Sequence, residues 1–139
     1  MPILDSGERT SFETGAVRDM HVGKGRFDLL PWYAIHEVAK HCEDGAIKYG
    51  ERNVDKGIPQ HSLIDSAIRH LVKYIHNEDD EPHLRAAAWN ILWALEQETT
   101  HKELNDLPYR TPTRYQKEVE NIIFTMSDQD VQEVISDEQ

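Results

Sequence analysis

A single cysteine, Cys42, stands among 139 residues. It has no partner for an internal disulfide, and a reducing cytoplasm is the simplest expected compartment. Long apolar runs are missing too: none approaches the ~20 residues of a membrane-spanning helix. The opening MPILDSGERTSF has neither the basic start nor the apolar centre of a secretory signal. Basic residues are scarce, with 15 Lys and Arg against 26 Asp and Glu and a net charge of −11. That balance excludes the basic stripe of a protein that binds polymeric nucleic acid. It leaves room for a small anion, because divalent cations held by clustered carboxylates reverse the local sign. No serine has a strand-to-helix elbow around it, no His-Asp dipeptide occurs, and no glycine-rich loop ends in Lys-Ser or Lys-Thr. Serine hydrolysis, an HD-type phosphohydrolase and a Walker A nucleotide site are thereby set aside.

What is present is helical periodicity. Residues 1–31 show no sustained period and carry Gly7, Gly15, Gly23 and Gly25, which predicts an irregular arm. Pro31 suits a first helical turn, and Asp28 is an acceptable cap before it. Ile35, Val38, Ala39, Cys42 and Ala46 then form one apolar stripe ending near Tyr49-Gly50, with Cys42 as a small core residue. After a loop of glycine, proline and charge, Ser62 with Asp65 resembles a capping box. Ile64, Ala67, Ile68, Leu71 and Ile75 make the second stripe. The acidic run from His76 to Glu81 breaks it. Pro82 opens a third segment, where Leu84, Ala87, Ala88, Ile91, Leu92 and Leu95 form a stripe and Trp89 and Trp93 fill volume. Beyond a connector, Val119, Ile122, Ile123 and Met126 suggest a short helix, packed on the core or on a second subunit, followed by an acidic tail. The expectation is one all-α domain: an arm over 1–31, a three-helix core over 32–98, and a connector, helix and tail over 99–139.

Several constellations invite chemistry. His36-Glu37 with His41 looks like a zinc-protease motif. Histidines five apart lie about 140° from each other on a helix, whereas that motif needs them on one face. Glu43 and Asp65 lie beside the apolar stripes of neighbouring helices and are expected at a half-buried helix–helix seam. There a bound Mg²⁺ or Mn²⁺ is a natural partner. Equally open are a helix-start role for Asp65 and an ion pair from Glu43 to Lys40 or Arg69. In Gly23-Lys24-Gly25-Arg26, flanking glycines allow close backbone approach while Lys24 and Arg26 neutralise phosphate; an ordinary basic turn reads the same way. Lys48, Arg52, Asn53, Arg69 and His70 add donors suited to phosphate or base edges, against the alternative of a solvated surface or a structural histidine. His83 fits a helix start as well as a ligand. Asn90, between Trp89 and Ile91, is a buried amide that wants a partner, which points to a ligand.

Four stretches in order carry a resemblance: Gly23 to Pro31; Glu43 to Gly50 with Arg52-Asn53; Asp65 to Leu71; and His83-Leu84 through Trp89-Asn90. Together they resemble phage dATP/dGTP diphosphohydrolases of the MazZ type, relatives of the MazG-like all-α nucleotide pyrophosphohydrolases. The resemblance covers about residues 15 to 98. It implies a MazG-like helical bundle that forms a homo-oligomer, a dimer or tetramer. It implies metal-dependent cleavage of the α–β phosphoanhydride of dGTP and dATP to a deoxynucleoside monophosphate and pyrophosphate. Such enzymes resemble suppliers of dGMP and removers of dATP in phages that replace adenine with 2-aminoadenine. MazG-like enzymes hold metal through Glu-x-x-Glu and Glu-x-x-Asp. By resemblance Glu43 and Asp65 take the last position of each pair, as metal ligands and catalytic acids. Lys40 and Ser62 stand where the other two acids belong, so Glu37 and Asp79 are the expected further ligands. Lys24, Arg26, Lys48 and Arg69 would offset charge on pyrophosphate, and Asn53 and Trp89 would choose the purine. The rival readings are a nucleotide-binding regulator without turnover and a helical phage interaction protein whose acids only solvate it.

Overall fold

Pro31, Gly50 and Pro82 mark helix ends as their chemistry demands. The computed structural model describes residues 2–108 and Asn121; the helix expected around Val119 to Met126 and the acidic tail lie outside the described residues. Helix α1 spans Trp32–Tyr49, and its last carbonyls are closed by Gly50, whose N–H donates to the Ala46 carbonyl at 2.9 Å from a φ of 93°. Helix α2 spans Gln60–Ile75 and α3 spans His83–Thr100, with Pro82 immediately before it. Within the arm, β1 (Arg9–Ser11) and β2 (Val17–Asp19) form a three-residue antiparallel hairpin with Thr10 opposite Arg18. The strands are too short to show an alternating pattern.

The two ends of α2 are fixed differently from each other. Helix α2 begins two residues before Ser62, at Gln60, and Ser62 makes no cap. Its exposed amides are met from 45 residues away: Asp106 accepts the His61 backbone N–H at 2.9 Å and pairs with the His61 ring through its other oxygen. At the far end Asn77 takes a left-handed φ of 59°. Glu78 N–H donates to the Lys73 carbonyl and Asn77 N–H to the Tyr74 carbonyl, both at 3.0 Å, which is a Schellman closure.

Helix α3 is the centre. Both α2 and α1 pack on it, α2 more extensively, and the outer two share little contact with each other. The buried seam of α3 is His83, Ala86, Ala87, Asn90, Ala94 and Gln97, facing Gln60, Leu63 and Ala67 of α2. This corrects the expected stripe: of its members only Ala87 is fully buried, while Leu84, Ile91, Leu92 and Leu95 are exposed. Alanine lets two helix backbones approach closely, so the small residues won the interface and the large ones were left on another face. Cys42 is likewise exposed, not a core residue.

Buried amides hold the chain entering α2 against the end of α3. Gln97 accepts the Ile58 N–H at 2.8 Å, and its amide nitrogen donates to the Ile58 carbonyl at 2.7 Å and to Gln60 Oε1 at 3.1 Å. Gln60 in turn donates to the Ala94 carbonyl at 2.9 Å, and His101 Nε2 bonds the Asp55 carbonyl at 2.8 Å. Gly57 lies inside this clasp at φ 96°, where a Cβ would fall 2.5 Å from Leu104 Cδ1. Gly57→Ala is therefore expected to cost about 1–3 kcal/mol through backbone strain alone, read as a lower urea midpoint with unchanged slope.

Candidate functional site

Glu37, His41 and Asp44 are spaced four and three along α1, so they share one face. That face meets Arg85 and Trp89, one turn apart on α3. Arg85 Nη2 donates to Asp44 Oδ2 at 2.8 Å, and its Nη1 lies 3.6 Å from Glu37 Oε2; Lys40 donates to the other Glu37 oxygen at 2.9 Å. Those contacts hold the Glu37 carboxyl below its ordinary value, Lys40 contributing most and Arg85 adding its charge. The His41 ring lies 5.4 Å from the Trp89 ring, tilted by 49°, with Trp93 beyond it at 6.2 Å from Trp89. Three buried nitrogens here, His41 Nδ1, Arg85 Nε and Trp89 Nε1, have no hydrogen-bond partner among the described residues. Arg85 Nε and Trp89 Nε1 can only donate, and a buried donor left unmet is costly unless something from outside accepts from it. Beyond Trp93 lies a mainly apolar groove of about 470 Å³ lined by Val38, Cys42, Leu92 and Leu95, with Glu96 and Glu98 at its edge, a volume suited to a small molecule.

A second group adjoins the first. His70 of α2 and His83 at the start of α3 face each other with Nδ1 atoms 3.0 Å apart. Glu81 Oε1 lies 3.6 Å from the first and 3.7 Å from the second. His83 Nε2 bonds Asp80 Oδ1 at 2.6 Å, and this bond holds the Asp80 carboxyl below its usual range. Burial pushes His70 down, with the Glu81 charge opposing it. Burial also pushes His41 down, helped by the Arg85 charge; Asp44, His70 and Glu81 also act on it, so the two groups share one neighbourhood.

These directions give a pH dependence. An unfolded histidine titrates near 6.5, and a folded value below that means the unfolded chain binds more protons between the two. The contribution of His41 and His70 is thus full above 6.5 and lost as pH falls toward their folded values. His101, raised by its bond to the Asp55 carbonyl and by Glu103, has the opposite sign: its contribution is full below 6.5 and lost as pH rises through its folded value. Below 6.5 the His101 contribution is already full and only His41 and His70 act, so the melting temperature is expected to drop as pH falls below 6.5. In His70→Asn that drop should shrink.

The residues expected from sequence are distributed unevenly. Glu37, His70 and Trp89 are in the neighbourhood just described. Glu43 is exposed and two residues from His41, hence about 160° around α1 from the ring that meets Trp89. Asp65 is exposed on the outer face of α2, its side chain 73% accessible, and pairs with Arg69 at 2.9 Å. The expected half-buried seam for this pair is corrected: the helices that carry them pack on α3, not on each other, through their opposite faces. Arg69 pairs with Asp65 and not with Glu43. Asp79 is exposed; its neighbours Asp80 and Glu81 contact the histidines instead. In the arm, Gly23 and Gly25 do adopt positive φ, but Lys24 pairs with Asp19 at 3.4 Å and Arg26 forks onto Asp28 at 2.8 and 2.7 Å. Lys48 lies over the Tyr49 ring, Arg52 (φ 62°) pairs with Asp55 at 3.3 Å, and Asn53 is half-buried before a short 3₁₀ turn. Asn90 is buried, yet its amide donates to the Ala86 carbonyl of its own helix at 2.8 Å and so has a partner without a ligand. Arg85 and Asp44 were not foreseen. The signal for them was spacing: Glu37-His41-Asp44 on one helix and Arg85-Trp89 on another.

No helix among the described residues is long and apolar enough to cross a membrane. No curated protein and no solved structure gives a match to the chain. A family model described as dATP/dGTP diphosphohydrolase, N-terminal, matches residues 14–107, from the hairpin turn through all three helices to the segment bearing Asp106. The chain therefore belongs to the dATP/dGTP diphosphohydrolase family, and its chemistry is nucleotide hydrolysis.

Proposed function

We propose that this protein hydrolyses purine deoxynucleoside triphosphates, dGTP and dATP, between the α- and β-phosphates, with Mg²⁺ or Mn²⁺, at the α1–α3 seam. The observation that supports this place is the trio of unpartnered buried nitrogens on His41, Arg85 and Trp89. A polyphosphate brings acceptor oxygens to the two donors, and Trp89 offers a ring against which a purine stacks. Water adds at phosphorus, the bridging oxygen departs with pyrophosphate, and the water's proton passes to His41 Nδ1. A magnesium ion arriving on a nucleotide needs only one or two protein carboxylates. Glu37 and Asp44 stand at this seam, where Glu43, Asp65 and Asp79 do not, and would take up the cation as the Arg85 guanidinium that now pairs with them turns to the phosphate oxygens. The metal would offset charge on the phosphates when bound. The cellular role would be to supply dGMP for 2-aminoadenine nucleotide synthesis and to deplete dATP in a phage-infected cell.

The exposed apolar residues Leu84, Ile91 and Leu95 on α3, and Ile68 and Val72 beside Asp65 on α2, support a homo-oligomer. A second copy on the α2 face would enclose Asp65, which is how that acid would reach a site. Light scattering should then give a dimer or tetramer mass.

The decisive assay incubates the chain with dGTP and Mn²⁺. The expected products are dGMP and pyrophosphate; dGDP and phosphate would overturn the reading. Nucleotide binding without product indicates a regulator, and neither binding nor product indicates an interaction protein. Asp65→Asn should reduce turnover only if the oligomer encloses it, and an unchanged rate removes Asp65 from the site.

A further inference from the structure

We infer that His70, Glu81 and His83 form a transition-metal site, suited to Zn²⁺, at the junction of α2 and α3. Three potential ligand atoms converge: the two Nδ1 atoms 3.0 Å apart, and Glu81 Oε1 at 3.6 and 3.7 Å from them. A point equidistant from all three lies about 2 Å from each, the length of a zinc–imidazole or zinc–carboxylate bond. The three atoms thus already stand at ligand spacing.

The histidine tautomer supports it. Asp80 accepts a hydrogen bond from His83 Nε2, so in the neutral ring Nδ1 carries the lone pair, aimed at His70 and Glu81. A carboxylate behind a histidine, fixing its ring and raising its basicity, is the usual outer support of a metal ligand. His83 is also only 2% exposed, so its ring is fixed in place by packing. Glu81 is nearly half exposed and gives the ion a way in.

The neighbouring group of Glu78, Asp80 and His83 also has ligand spacing. It fits less well, because the Lys73 ammonium stands 4.0 Å from Glu78 and 3.8 Å from Asp80 and already supplies positive charge. The charges of Arg69 and Lys73 also reach His70, but among the described residues the ion pairs of Glu81 are with the two histidines alone. Two nitrogen ligands select against Mg²⁺, which prefers oxygen, and for zinc and its first-row neighbours. The site is therefore different in kind from the carboxylate pair proposed for the nucleotide's cation, and it does not rest on that proposal. With one ligand from α2, one from the turn and one from α3, the ion would fasten the two helices together across residues 76–82.

The test uses the full chain without an affinity tag, stripped with chelator and then titrated with Zn²⁺ in the absence of nucleotide. One zinc per chain should be retained after desalting, with a raised melting temperature, and Co²⁺ should give visible absorption bands. Glu81→Gln replaces a half-exposed group that the fold does not need; together with His70→Asn it should weaken zinc binding at least tenfold. Asp80→Asn should weaken it about 10–100-fold, and Asp79→Asn should not change it. A folded chain that retains no zinc overturns the site, as does a stoichiometry and affinity unchanged in both Glu81→Gln and His70→Asn, which would locate the ion elsewhere.

Discussion

Arg85→Lys is expected to lower kcat for dGTP by about 10²–10³-fold, the loss typical when one fixed donor to a developing charge is removed. The choice of lysine separates two roles of the side chain. Lysine keeps a positive charge near Asp44 and Glu37, so the ion pairing that holds these carboxylates is partly retained. It cannot keep the fork, and it has no counterpart of the Nε–H that is buried and without a partner among the described residues. The loss should appear in kcat more than in KM, because the donor is proposed to act on phosphate charge as it develops. Circular dichroism and melting should change little, since the pairs broken are only partly buried. A rate within a few-fold of the parent would mean that Arg85 only ties α1 to α3, and the substrate would have to lie elsewhere on the molecule.

How much of this was legible beforehand differs from element to element. The three helices were, because proline, glycine and apolar period act within a few residues: Pro31, Gly50 and Pro82 each set an end where expected. The start of α2 falls directly after Pro59, as those of α1 and α3 fall after Pro31 and Pro82, and the capping box expected at Ser62 does not form; the acid that meets the His61 amide, Asp106, has no local signal. The buried face of α3 was misread for a related reason. A stripe is judged by its large residues, but helix packing here selected alanines at 86, 87 and 94, and the leucines and isoleucine ended outside. Glu43 and Asp65 lie beside the stripes of α1 and α2, and among the described residues those two helices share little contact with each other because both pack on α3. Arg85 was invisible because its meaning depends on Asp44, 41 residues away. His83 read as an ordinary helix start; only the turn that brings Asp80 and Glu81 to its ring gives it another use.

Gln97→Ala is expected to be strongly destabilising, costing about 3 kcal/mol. The reasoning counts what is left behind rather than what is removed. Gln97 is almost wholly buried and meets both the N–H and the carbonyl of Ile58 and the Gln60 amide oxygen. Truncation strips a partner from each at once, the Gln60 oxygen in a buried place and the two Ile58 groups in a half-buried one, and each unmet buried group costs about 1–3 kcal/mol. A glutamine in that position gives no warning in sequence, since glutamine is ordinarily a surface residue. Gln97→Glu discriminates the mechanism: a carboxylate still accepts from Ile58 N–H but donates to neither the Ile58 carbonyl nor Gln60. It should therefore destabilise at neutral pH despite its matched size. Gln60→Ala should cost less than Gln97→Ala, because it breaks only the bonds to Ala94 and Gln97. Urea unfolding orders the three variants. If Gln97→Ala falls within about 1 kcal/mol of the parent, less than a single unmet buried group ordinarily costs, the clasp is not what holds the entry to α2 against α3. The tertiary stability would then have to come from the alanine seam alone.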